Sequence, residues 1–174
     1  TNEDETVAVT ATTNAFTKDV ITDIFEITQD NLNREAVVEA LATLNVKNFS
    51  AYEISPSQNM AAGGKATITM ALPKTLGEDI AIYYIDVENG TAKMLDTKLI
   101  TAVEKDEEKL IAASVTTDRF GFFAIAEVGL NPDGSVAGGF DGSASSGTGF
   151  GTDTGNNSPA TGESVTPKVV AIAM

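Results

Sequence analysis

The chain has 174 residues, 42% of them hydrophobic, and carries a formal net charge of −14 with no cysteine and no histidine. These counts exclude disulfides, thiolate or imidazole metal sites and every nucleophilic mechanism that depends on Cys or His. So acidic a surface also opposes binding to nucleic acid, because phosphate contacts require Lys and Arg. The length is sufficient for one domain with a substantial core.

The first third of the chain combines two strand patterns with one helix pattern. Residues 6–12 alternate apolar and polar side chains, and residues 19–28 are rich in β-branched and aromatic types, so both predict strands. The pattern then changes to helical spacing, with an apolar face made of Leu32, Ala36, Val37, Ala40, Leu41 and Leu44. This predicts one amphipathic helix over about residues 32–45, capped by Asp30 or Asn31 and covering one end or edge of the β structure.

Strand signals resume after the helix and continue to residue 127. The segments are NFSAYEIS, KATITMAL, IAIYYIDV, TAKMLD, LITAVE, KLIAASVT and RFGFFAIAE. Short links with turn residues separate them, and Asn89-Gly90 predicts a type I′ hairpin turn. Many short strands at this spacing predict a mainly β fold. We expect an antiparallel Ig-like β-sandwich over residues 1–128, with the helix as an insertion.

Two segments are similar to ligand-binding motifs without meeting their requirements. Gly64-Lys65 has the GK pair of a phosphate-binding loop, but Ala66 stands where Ser or Thr is needed and a strand follows instead of a helix. A Gly-Gly turn is the preferred interpretation. Asp133 and Asp141 offer oxygen ligands for calcium, but the spacing of an EF-hand loop is missing, which favours a solvated linker. We therefore expect no metal and no cofactor.

No residue is predicted to be catalytic. A glycosidase needs only two carboxylates, but nothing marks such a pair among the 25 acidic residues, so we do not expect an enzyme. The adjacent aromatics Tyr83-Tyr84 and Phe122-Phe123 leave one side chain of each pair on the outer face of a strand, where it could bind a sugar or a protein. Core packing with an ordinary surface aromatic is the favoured interpretation.

The composition changes sharply after residue 128. Most of the 15 glycines lie between residues 129 and 155, mixed with Ser, Thr and Asp. Such a segment buries too little apolar surface to offset its ordering entropy. Residues 129–157 are therefore predicted to be a flexible, disordered linker.

Residues 158–174 contain a second kind of signal, SPATGE followed by an apolar run. The box resembles the LPXTG-type sorting signal of Gram-positive cell-wall proteins, with the residues Ser158, Pro159, Ala160, Thr161 and Gly162. The resemblance implies that a sortase cuts between Thr161 and Gly162 and joins Thr161 to peptidoglycan. Because Ser158 replaces the usual Leu, it also implies a variant sortase.

In that family a membrane-spanning apolar run and a basic tail follow the box. The apolar run at residues 169–174 is too short, since a bilayer core needs about 20 residues. We expect 158–174 to be a truncated sorting signal, with membrane contact only through the missing C-terminal retention segment.

The body has a looser resemblance, over roughly residues 50–130. The strand ending in Pro73, the hairpin around IDVENG and the closing TTDRFGFFAIAEVG are similar to β-sandwich stalk domains of Firmicutes surface proteins. Asp118 and Arg119 stand where those domains often have a histidine. Such domains are non-catalytic spacers, so the resemblance implies no site residues in the body.

Together these patterns predict a secreted, wall-anchored protein at the cell surface. The body would be a structural stalk module, with sortase and peptidoglycan as partners and no nucleic acid. The alternative is an adhesin, a carbohydrate- or protein-binding module whose host or glycan ligand is unknown.

Overall fold

The computed structural model describes residues 1–12, 14–104 and 107–138, with only the backbone described at Glu104. In these ranges the chain forms β1 (Val7–Ala11), β2 (Thr22–Glu26), α1 (Arg34–Ala42), β3 (Phe49–Pro56), β4 (Ala66–Ala71), β5 (Ile80–Asp86), β6 (Thr91–Met94), β7 (Lys98–Glu104), β8 (Glu107–Thr117) and β9 (Gly121–Glu127). Each strand overlaps a predicted one. The prediction of a mainly β fold with one helix is confirmed.

The strands form two antiparallel sheets. The four-stranded sheet has the order β1-β4-β8-β7, and the five-stranded sheet has the order β2-β3-β9-β5-β6. All neighbouring pairs run antiparallel, and the register shifts once, between Ile100 and Thr101 of β7. Consecutive strands often lie in different sheets, so the chain crosses repeatedly from one sheet to the other.

The two sheets pack on a shared apolar core. The four-stranded sheet contributes Val7, Ile68, Met70, Ala113 and Val115. The five-stranded sheet contributes Tyr52, Ile54, Ile80, Ile82, Phe123 and Ile125, and the loop before β5 adds Leu76. Within each strand these residues are spaced by two, so they point to the same face.

The other face of the five-stranded sheet is also buried, under α1. A second core joins Val37, Ala40 and Leu41 of the helix to Ala51, Ala81, Tyr83, Ile85, Ala124 and Ala126 of the sheet. The four alanines of β3, β5 and β9 leave room for the helix to approach closely. The helix therefore covers a sheet face, and the prediction that it covers an end or edge is wrong. The fold has three layers.

The helix is shorter than the predicted range 32–45. It begins after Asn33, whose side chain makes no cap hydrogen bond, while Asn31 Oδ1 accepts the Asn33 N–H at 2.8 Å outside the helix. Leu32, assigned to the apolar face by its spacing, is 99% exposed. At the other end Asn45 takes a positive φ of 56°, a conformation that Asn tolerates and that stops the helix.

The turn between β5 and β6 differs from the predicted type. A type I′ turn needs positive φ at both central residues, but in this turn only Gly90 has it, at 64°. Residues 87–90 form a longer turn, and Asp86 holds it by accepting hydrogen bonds from the Asn89 N–H at 3.0 Å and from Asn89 Nδ2 at 2.8 Å. The hydrogen bonds to the Asp86 carboxylate thus stabilise this longer turn in place of a tight Asn-Gly turn.

Residues 129–138, predicted to begin the linker, pack against the body. Leu130 and Val136 form an isolated antiparallel bridge, and the Ala137 N–H donates to the Gly129 carbonyl at 2.8 Å. Ala137 is buried. A Cβ added at Gly129 would overlap the carbonyl oxygen of Leu44, so this close approach requires glycine.

The start of β1 and the end of β9 lie at the same end of the sheets. Val7 pairs with Met70 near the end of β4, and Ile80 at the start of β5 pairs with Glu127. The loop between β4 and β5 stays at this end, because the Gly77 N–H donates to Glu127 Oε1 at 3.1 Å. We call this end the terminal pole.

The opposite end is built from the other ends of the same strands. Ala66 at the start of β4 pairs with both Ala11 and Thr117, and a short link leads from Thr117 to Gly121 at the start of β9. We call this end the distal pole. It holds the turns and loops farthest from where the chain joins the body.

Candidate functional site

The predicted sorting residues lie outside the described part of the chain. Ser158, Pro159, Ala160, Thr161 and Gly162 belong to residues 139–174, and so do most of the predicted linker and Asp141. The predicted cleavage between Thr161 and Gly162 stays a prediction.

A recess of about 350 Å³ opens at the distal pole, between the two sheets. It is lined by Lys65, Tyr84, Lys93, Leu95, Thr116, Thr117, Asp118 and Arg119. We call it the cationic recess. Its walls come from the start of β4, the end of β8 and the pair β5–β6, which bring distant parts of the sequence together.

The recess concentrates positive charge on an acidic molecule. Three of the chain's 11 basic residues line it, in a protein with a net charge of −14. Among the described residues, the ammonium groups of Lys65 and Lys93 form no ion pair, and both side chains are exposed. The acid in its lining is Asp118, whose Oδ1 lies 3.3 Å from Arg119 Nε, and Glu53 lines the adjoining recess. The recess therefore keeps a net positive charge.

Arg119 is held in place by its neighbours. Its guanidinium carbon lies 5.5 Å from the centre of the Tyr84 ring, which is in the range of a cation–π contact. Its backbone N–H donates to Thr117 Oγ1 at 3.2 Å, and that hydroxyl donates to the Arg119 carbonyl at 3.1 Å. Tyr84 in turn packs edge-on against the buried Phe123, with ring centres 5.4 Å apart. The guanidinium, on a side chain that is 62% exposed, thus rests on a ring that packs against the core.

A second, wider recess adjoins the first and shares Lys65, Asp118 and Arg119 with it. Its volume is about 750 Å³, and the rest of its wall comes from the end of β3, the loop before β4, and Phe120 and Gly121. That loop contains the Gly-Gly pair. Gly63 takes a φ of 77°, and Gly64 is packed so closely on Ala15 that an added Cβ would lie 2.9 Å from the Ala15 carbonyl oxygen. The glycines serve a turn into β4, as their preferred interpretation predicted.

The adjacent aromatic residues do not form an exposed binding surface. Tyr83 is fully buried under α1, and Phe123 is fully buried between the sheets. Their neighbours Tyr84 and Phe122 are half-buried and pack on the opposite cores. Alternating side chains reach both faces, but both faces of this sheet are covered, so the expectation of an outward aromatic in each pair is wrong.

Two aspartates with shifted pKa values stabilise turns. The pKa of Asp86 lies below its usual range because the side chain and the backbone of Asn89 donate hydrogen bonds to it. The pKa of Asp133 is also lowered, by the Ser135 hydroxyl at 2.6 Å and then by the Ser135 N–H at 2.9 Å. Asp133, considered above as a calcium ligand, is thus part of a local turn. In the described ranges no three acidic residues come together as a metal site.

Only part of the cationic recess stands out in the sequence. In the sequence, Lys65 belongs to a segment similar to a phosphate-binding loop. Arg119 stands where the stalk domains often have a histidine, and no sequence feature points to Lys93. The three bases lie in three separate links or strands, so no local motif joins them. The sequence does show that basic residues are scarce in an acidic chain. That scarcity does not indicate which basic residues come together in the fold.

The chain matches no protein-family model, no curated protein and no solved structure. The α1 segment is too short to cross a bilayer, and it is the only helix in the described ranges.

Proposed function

We propose that the chain is the anchored end of a cell-wall surface protein, with a non-catalytic structural module followed by a linker and a sortase-type signal. The observation that carries this proposal is the box Pro159-Ala160-Thr161-Gly162 after a Gly/Ser-rich stretch and before an apolar run. Thr161 would become the residue joined to peptidoglycan, after cleavage of the bond to Gly162 by a sortase. The protein would then reside outside the cell, at the wall.

The strand order supports an Ig-like interpretation of the body. In Ig domains one sheet has strands A, B, E and D, and the other has G, F and C with further strands beside C. The order β1-β4-β8-β7 corresponds to A-B-E-D, and β9-β5-β6 corresponds to F-C-C′ in the correct chain order. The place of strand G is taken by β3, which belongs to an insertion, β2-α1-β3, between strands A and B. We therefore propose an Ig-like β-sandwich with a substituted G strand.

The position of the chain ends refines the structural role. Segments joined before β1 and after β9 attach to the terminal pole, because both strands meet the chain ends there. A spacer that extends a stalk in line has its connections at opposite ends. We propose instead that the module is attached to the rest of the protein through its terminal pole alone, so that its distal pole is free to meet a ligand.

The test is the chemical nature of the mature C-terminus. The coding sequence with its complete native tail would be expressed in a Gram-positive host, the wall digested with a muralytic enzyme, and the C-terminal peptide analysed by mass. The proposal expects a terminus at Thr161 that carries a peptidoglycan fragment. A free terminus beyond Gly162, or a protein found only in the medium, would disprove anchoring. A Thr161→Ala variant is the matched control, since it alters only the predicted acyl donor.

A second candidate function is binding at the cell surface. The observation that favours it is the cationic recess, which lies at the distal pole and thus faces away from both connections. A purely structural module has no need of clustered cations in a cavity. Under this candidate the body is an adhesin-like head on a flexible tether, in place of a passive spacer.

A further inference from the structure

We propose that the cationic recess binds a glycan through the carboxylate of a terminal acidic sugar. The carboxylate would lie among Lys65, Lys93 and Arg119, with the sugar ring between the polar and apolar walls of the recess. The inference rests on the second candidate function and does not depend on wall anchoring.

The charges argue for an anionic group. Lys65 and Lys93 bring two ammonium groups that form no ion pair within the described residues, and Arg119 keeps donors free beyond the Nε contact to Asp118. A planar guanidinium forms paired hydrogen bonds with a carboxylate. The contact with the Tyr84 ring already restricts the Arg119 side chain, so less conformational entropy is lost on binding.

The rest of the protein argues for a single charge and against a polyanion. A net charge of −14 repels an extended acidic polymer, which would carry further negative groups over the surrounding surface. A neutral glycan that ends in one acidic sugar brings its only charge to the recess. The local positive site on an acidic surface thus selects for an isolated carboxylate.

The walls and the size suit a sugar ring. Thr117 Oγ1, whose proton goes to the Arg119 carbonyl, keeps one lone pair that can accept a hydrogen bond from a ring hydroxyl, and Leu95 with Tyr84 provides an apolar wall. The volume of about 350 Å³ lies at the lower end of the range for small-molecule sites. Because the recess is open at the pole, the remaining sugars of the glycan would extend into solvent.

The experiment is a calorimetric or NMR titration of the full 174-residue chain with three probes. Sialyllactose carries one carboxylate on its terminal sugar, lactose is its neutral counterpart, and acetate is the carboxylate alone. The variants Lys65→Gln, Lys93→Gln and Arg119→Gln each remove one charge from the recess. Lys74→Gln removes one exposed charge at the terminal pole and is the matched control.

The proposal expects sialyllactose to bind in the micromolar to millimolar range and to bind more tightly than lactose or acetate. Each recess variant should weaken binding by about tenfold, the effect of losing one charged hydrogen bond, while Lys74→Gln should not change it. Equal binding of acetate and sialyllactose, or binding unaffected by the recess variants, would overturn the proposal. Tight binding of a heparin oligosaccharide without binding of sialyllactose would overturn it too.

The two tests distinguish a failure of the binding proposal from a failure of the anchoring proposal. Loss of sialyllactose binding leaves the Thr161 terminus untouched, and a free C-terminus leaves the titration of the purified chain unchanged. The two experiments therefore assign any negative result to one proposal alone.

Discussion

The hydroxyl of Tyr83 accepts a hydrogen bond from the backbone N–H of Gly129 at 3.4 Å. Tyr83 is fully buried in β5, beneath α1, and Gly129 follows the last strand. The contact ties the segment 129–138 to the inner strands of the five-stranded sheet. The ordered body therefore extends beyond the last strand, into sequence whose composition resembles a linker.

The first prediction concerns this attachment. Tyr83→Phe should cost about 0.5–1.5 kcal/mol of unfolding free energy, because it removes one buried hydrogen bond and leaves the ring in place. Gly129→Ala should cost about 1–3 kcal/mol, because its methyl group would overlap the Leu44 carbonyl. Urea unfolding measures both. Gly77→Ala is the control, since its Cβ would meet only Glu127 Oε1, at 3.7 Å. Equal stability of all three variants would mean that the segment does not pack on the body.

The second prediction is a loss of stability at alkaline pH. Burial raises the pKa of both Tyr83 and Tyr52. A hydrogen bond with the Gly129 backbone lowers the pKa of Tyr83, and one with the Thr6 side chain lowers that of Tyr52, but burial is the larger effect in each case. The folded state therefore favours the neutral phenols, while unfolded tyrosine ionises near pH 10. The contribution of these two tyrosines to the unfolding free energy is complete below about pH 10, and it is lost as the pH rises through their raised pKa values.

The measurement is the unfolding free energy in urea between about pH 8 and 11. Tyr52→Phe and Tyr83→Phe should each flatten the alkaline decline, because Phe does not titrate. A decline of the same slope in the wild type and in the Tyr52/Tyr83 double variant would contradict the prediction.

The third prediction tests the helix layer. Leu41→Ala should destabilise the protein by about 2–5 kcal/mol, because Leu41 is fully buried against the five-stranded sheet and truncation leaves a cavity. Leu32→Ala should change stability by less than about 0.5 kcal/mol, because Leu32 is 99% exposed. Both are leucines that the helical periodicity places on one face. Similar losses in thermal or urea unfolding would mean that the helix starts earlier and packs differently.

The strands were predictable because each carries a local signal. β1 alternates apolar and polar residues, and most of the strands from β2 to β9 are rich in β-branched or aromatic types between turn residues. The place of α1 in the fold was predicted wrongly, although one signal for it was present. β5 and β9 contain continuous apolar runs, IAIYYI and FFAIA, which are typical of strands buried on both faces. Such a sheet needs a third layer, and α1 is the element that provides it.

The candidate site was less predictable than the fold. A turn type depends on neighbours outside the dipeptide, as Asp86 shows by holding the residues before Gly90 in a longer turn. The cationic recess depends on more distant relationships. Lys93 lies opposite Tyr84 in the register of β5 and β6, while Lys65 and Arg119 approach because β4 and β8 pair at their ends. Registers between strands far apart in the sequence cannot be read from one sequence alone.

The last prediction concerns the response to force, and it follows from the two poles. When the chain is pulled through its own connections, both attachment points lie at the terminal pole. The load then peels β1 from β4, beginning at Val7, and breaks the hydrogen bonds one after another. A module loaded in this way should unfold at low force, in contrast to an in-line stalk.

The sequence contains no cysteine, so an introduced cysteine can be attached to the pulling apparatus without reaction at any native thiol. In one variant the handles precede Thr1 and follow Gly138. In the other, the second handle is Glu88→Cys, in the exposed β5–β6 turn at the distal pole. This second pair loads the five register pairs of β1 and β4 in shear, all at once. Single-molecule pulling should give a lower unfolding force for the first geometry. The reverse order would mean that β1 is not the element that yields, and the module would then suit a load-bearing stalk.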